Sequence, residues 1–140
     1  MNPCYRQIGI GSVIAFMLAG CAHVPTQFGG SWPLPAETQS SAAIDLARPI
    51  VQPVDGGLRV TGYLTRQVGA ITTANSHVDV QCLDAGGTVL TDQPVAFAPG
   101  DLADGSLRSR PSAHYEVTLA SAPAGTARIR VVAHDRPHGT

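Results

Sequence analysis

Beyond residue 57 apolar and polar residues alternate with a period of two, the mark of strands buried on one face. Leu58, Val60, Gly62 and Leu64 alternate with Arg59, Thr61, Tyr63 and Thr65. His77 to Leu83 repeats the pattern, with Val78, Val80 and Cys82 on the apolar side and His77, Asp79 and Gln81 on the other. Asp84-Ala85-Gly86-Gly87 reads as a tight turn, because glycine reaches positive φ without steric cost. Thr88 to Thr91 returns as the hairpin partner, and Pro94 to Phe97 reads as a short edge segment. After a long loop, Tyr115, Val117 and Leu119 alternate with His114, Glu116 and Thr118. Ser121 to Gly125 turns the chain, and Thr126 to Ala133 sets Ala127, Ile129, Val131 and Ala133 on one side. No amphipathic helical period occurs in this region. Short strands separated by Gly and Pro turns predict an all-β fold: a small antiparallel β-sandwich over residues 57–135, followed by a tail at 136–140.

The first part of the chain has no such rhythm. From His23 to about Val54 it is polar and punctuated by Pro25, Gly29-Gly30, Pro33, Pro35, Pro49 and Pro53. Such a segment buries too little apolar surface to offset its ordering entropy. Residues 21–56 are therefore expected to form a flexible tether, with at most a helical turn at Ala42–Ala47. Further upstream, Ile8 to Leu18 is an apolar run preceded by Arg6 and by no acidic residue. It is roughly half of the ~20 residues a spanning helix needs and matches the apolar core of a signal peptide.

That run closes on Leu18-Ala19-Gly20-Cys21, which resembles the lipobox of bacterial lipoproteins. The resemblance implies that residues 1–20 are a signal peptide cut between Gly20 and Cys21. It further implies a thioether-linked diacylglycerol on Cys21 and, commonly, an acyl chain on its new amine. Each buried methylene contributes about 0.8 kcal/mol and a single chain holds only marginally, so two or three chains make a stable anchor. Ala22, by the same resemblance, points to the outer membrane with the domain facing the periplasm.

Composition narrows the partners. The chain has nine basic and ten acidic residues, a formal net charge of −1, and every basic residue is Arg. Nothing here makes a polyanion-binding surface, so nucleic acid is not expected. Of the three cysteines, Cys4 leaves with the signal and Cys21 carries lipid, so Cys82 is the single remaining thiol, in phase with the core positions Val78 and Val80. Residues 78–90, Val-Asp-Val-Gln-Cys-Leu-Asp-Ala-Gly-Gly-Thr-Val-Leu, resemble the central hairpin of immunoglobulin-like and fibronectin type III-like domains of bacterial envelope proteins. A transthyretin-like sandwich fits nearly as well. Either resemblance implies a fold and leaves function open, because sandwiches host many unrelated activities.

Candidate chemistry comes from histidines and one loop. If the Ser121–Gly125 turn closes a hairpin, Glu116 faces Arg130 and His114 faces Val132, which sets His114 about 7–8 Å diagonally from His134. His77-x-Asp79 presents two further ligands on one strand face, and His134, Asp135 and His138 cluster near the C-terminus. Imidazole with carboxylate suits Zn or Cu, which makes His77, His114 and His134 the candidate metal ligands. The loop from Pro99 to Pro111 is long for so small a domain. Its Asp101, Asp104, Arg108 and Arg110 are candidate partner contacts. No nucleophile with a base, no paired carboxylates and no phosphate-cradling glycine loop is recognisable, so the chain is not expected to be an enzyme. No cofactor is expected beyond the covalent lipid on Cys21. The sequence thus predicts a membrane-anchored lipoprotein presenting a non-catalytic sandwich as a binding, scaffold or accessory module for an envelope protein, engaged through a sheet edge or the 99–111 loop. Periplasmic metal binding by exposed histidines is the alternative.

Overall fold

Alternation becomes pairing in the computed structural model, which describes residues 33–102 and 111–137. Nine strands follow in chain order: β1 (Ala36–Gln39), β2 (Ile44–Leu46), β3 (Ile50–Val54), β4 (Gly57–Arg66), β5 (His77–Leu83), β6 (Val89–Val95), β7 (Phe97–Ala98), β8 (Ser112–Leu119) and β9 (Arg128–His134). The described residues contain no helix, and so none long and apolar enough to cross a membrane. One sheet has the order β1-β9-β5-β6; the other has β2-β4-β8-β7, with β3 also paired to β4. Val78, Val80, Cys82, Ile129 and Val131 of the first sheet join Leu58, Val60, Leu64, Tyr115, Val117 and Leu119 of the second in a single apolar core. The fold is therefore all-β and two-layered, as the alternation predicts.

Several expectations are corrected. The segment expected to be a tether contributes β1, β2 and β3, so the folded domain begins well before residue 57. Leu34, Ile44 and Leu46 of this segment are all buried, with Ile44 fully enclosed. Strands of three to five residues are too short to display a period, and Ala42–Ala47 holds a strand, not a helical turn. Secondly, β8 and β9 do not form a hairpin. β8 pairs with β4 and β7 while β9 pairs with β5 and β1, so the 120–127 connection crosses between the sheets. Thirdly, the sandwich is not wholly antiparallel, because β1 runs parallel to β9. The Pro94–Phe97 segment is also divided: Pro94 and Val95 end β6 in one sheet, and Phe97 opens β7 in the other.

Strand direction gives the sandwich two distinct ends. Ala36 lies beside Ile129, so the chain enters β1 at the end that holds the 84–88 turn and the 120–127 connection. His77, His134, Arg66 and Ser112 lie at the opposite end, together with the 67–76 loop and the start of the loop that follows β7.

Candidate functional site

β5 and β9 are neighbours, and their register sets His77 directly opposite His134 and Asp79 opposite Val132. Val78, Val80, Val131 and Ala133 point into the core, so by alternation His77, Asp79, Val132 and His134 share the outer face of the sheet. Asp79 is nonetheless buried, its side chain only 1% exposed. Pro94 of β6 and Val132 of β9 flank it, and the two imidazoles cover it. Nε2 of His134 lies 3.1 Å from Asp79 Oδ2, and Nε2 of His77 lies 3.6 Å from Asp79 Oδ1. The imidazole rings stack with centroids 5.0 Å apart and planes inclined by 15°. One donor atom from each of His77, Asp79 and His134 lies within 4.8 Å of the others. Beside them a shallow depression of about 400 Å³ is lined by Ala74, Asn75, Ser76, His77, Pro94 and Pro137. Two imidazole nitrogens and a carboxylate form a donor set that transition-metal ions accept.

The structure redistributes the other candidates. His114 is not part of the cluster: it lies exposed on the second sheet, opposite Tyr63, with the two ring centroids 6.5 Å apart. Glu116 pairs with Arg59, at 3.5 Å, and Arg130 with Glu37, at 2.6 Å. The anticipated Glu116–Arg130 pair fails because β8 and β9 belong to different sheets. Asp135 is anchored within the fold: its carboxylate accepts hydrogen bonds from Ser41 Oγ and from the amides of Ala42 and Ala43. Asp101 is exposed, and its Oδ1 accepts from the amide and the hydroxyl of Thr73. Thr73 Oγ1 in turn accepts from the amide of the buried Leu102, at 2.7 Å. Asp104, Arg108, Arg110, His138, Gly20 and Cys21 lie outside the described residues.

Cys82 is fully buried, as its phase predicts. Burial pushes its thiol pKa up, partly opposed by a hydrogen bond with Thr126. The alternation sets Asp79 on the outer face beside His77; what it did not show is that the carboxylate is buried there. The missing signal was the β5–β9 pairing, which joins residues more than fifty positions apart and leaves no local trace. No protein-family model, curated protein or solved structure matches this chain, so the functional reading rests on its residues and geometry.

Proposed function

We propose that this chain is a lipid-anchored lipoprotein of the bacterial cell envelope, presenting a non-catalytic immunoglobulin-like β-sandwich as a binding, scaffold or accessory module. Residues 1–20 are its signal peptide, Cys21 its lipidated anchor, and Ala22 favours the outer membrane with the domain in the periplasm. The observation that carries this reading is Leu18-Ala19-Gly20-Cys21 at the close of an apolar run. The direction of β1 is compatible with it, because the side of the domain joined to Cys21 is the end opposite the histidine pair. An anchor at Cys21 joins the domain at this entry end. The 67–76 loop, the start of the 99–111 loop and the histidine pair lie at the opposite end. Val68 and Ile71 on the first of these loops are 83% and 94% exposed.

Strand order supports the immunoglobulin-like assignment. β3, β4, β8 and β7 follow the A, B, E, D order of one sheet of that fold, and β5 and β9 the C and F strands of the other. β1 takes the place beside β9 that a last strand would hold. The partner is an envelope protein met through the outer side of β6 or the 99–111 loop; an unpaired strand edge offers a row of backbone donors and acceptors.

Detergent phase partitioning with intact mass tests the anchor. The native chain is expected in the detergent phase, at a mass corresponding to cleavage before Cys21 plus acyl chains, with Cys21→Ala left in the aqueous phase. A native chain that keeps residues 1–20 and partitions into water overturns the reading.

A further inference from the structure

The geometry points to a binding site for a zinc-class divalent ion formed by His77, Asp79 and His134. Tetrahedral zinc holds its ligands at about 2.0–2.2 Å, which separates neighbouring ligand atoms by roughly 3.3 Å. Here His134 Nε2 lies 3.1 Å from Asp79 Oδ2 and His77 Nε2 lies 3.6 Å from Asp79 Oδ1, each imidazole against its own carboxylate oxygen, and one donor from each of the three residues lies within 4.8 Å of the others. The backbone already fixes the ligands, because His77 and Asp79 alternate on one strand and His134 is the cross-strand partner of His77.

The chemistry of the donors selects the ion. Two neutral imidazoles and one carboxylate favour zinc over calcium or magnesium, which take oxygen ligands. Asp79 is 1% exposed, so its charge is poorly screened by water and strongly felt by a cation placed against it. The imidazoles are 18% and 32% exposed, while both Nε2 atoms are themselves buried against the carboxylate, so a bound ion is shielded from solvent. Three protein ligands leave one tetrahedral position for water or another small ligand, the open arrangement of non-structural zinc sites. His114, on the other sheet, takes no part. The site is independent of the Cys21 anchor and stands or falls separately from it.

A buried carboxylate covered by two imidazoles can also be a purely structural arrangement, and metal titration separates the two. The full chain, purified in detergent and stripped with a chelator, is titrated with Co²⁺ alone and then with Zn²⁺. One Co²⁺ per chain is expected, with the intense visible bands of four- or five-coordinate cobalt, displaced by Zn²⁺. Zinc present in excess of its Kd is expected to raise the Tm by roughly 5 °C or more. His77→Gln and His134→Gln, checked for native folding by circular dichroism, are each expected to weaken Zn²⁺ binding by more than about tenfold. His114→Ala is expected to bind as the native chain does. Absence of cobalt bands overturns the site, as does affinity unchanged in both glutamine variants. Equal loss in His114→Ala also overturns it, since that marks diffuse capture by surface histidines. Asp79→Asn is a further check; if it fails to fold, the two glutamine variants still decide.

Discussion

Tyr115 is the largest fully buried side chain of the described domain, and it owes its place to the residue opposite. A Cβ on Gly62 would lie 2.2 Å from Tyr115 Oη and 2.5 Å from its Cζ, so only glycine leaves room for the ring. The tyrosine hydroxyl has no hydrogen-bond partner among the described residues, and desolvation pushes its pKa up from 10 to about 12. The folded pKa lies above the unfolded one, so the neutral phenol's contribution is fully present below pH 10. It is lost as pH rises from 10 through about 12, because the unfolded chain gives up its proton first. That window corresponds to roughly 2–3 kcal/mol. Urea denaturation at pH 8 and at pH 11.5 is expected to show the loss, and Tyr115→Phe to remove most of it. At pH 8 the same variant is expected to match or exceed native stability by up to about 1 kcal/mol, since it deletes an unsatisfied buried hydroxyl. A Tyr115→Phe domain clearly weaker at pH 8 would mean the hydroxyl is bonded. Of this residue the alternation shows that it faces the core, while its partner glycine is identified only by the β4–β8 register.

Among elements, the crossover from β1 to β2 shows how short strands are held without a visible pattern. Ser41 Oγ, the amide of Ala42 and the amide of Ala43 all donate to the Asp135 carboxylate, and Ser41 Oγ accepts from the amide of Ile44. Ser40 Oγ adds an acceptor for the amide of Leu46. The residue just past β9 thus pins the segment that carries the chain from one sheet to the other. Asp135→Ala leaves those donors without their acceptor and is expected to cost about 1–3 kcal/mol. Hydrogen exchange should accelerate first at Ala42 and Ala43; uniform protection across β1 and β2 would show that Asp135 is dispensable. The β5–β6 hairpin is the contrasting case and was legible. The Asp84 Oδ1 accepts from the amide of Thr88, which holds its carboxyl below the usual range, and Gly87 turns with φ of 89°. Every part of that turn is written within five consecutive residues. The Asp135 anchor joins positions more than ninety residues apart, and nothing local announces it.

For the whole molecule, the question is where the cooperative unit begins. A chain starting at residue 57 would lose Leu34, Ile44 and Leu46 from the core and strip β4 and β9 of edge partners. Burying such side chains contributes about 1.5–3 kcal/mol each, a large share of the about 5–15 kcal/mol that holds a domain together. Residues 57–140 alone are therefore expected to lack a cooperative thermal transition, whereas 33–140 should melt as one unit. A cooperative melt of the shorter chain would restore the tether. The alternation of residues 57–135 was enough to establish strands, their inward faces, the buried Cys82 and the Asp84–Gly87 turn. Each of these follows from side chains a few positions apart, where backbone geometry alone dictates which way they point. Which strands pair was decided by packing: two apolar sheet faces closed over one core, β8 and β9 were drawn into opposite layers, and three short strands were recruited to the edges. The same closure placed His134 opposite His77 above Asp79, because register between distant strands is a property of the assembled sandwich and not of any local stretch of chain.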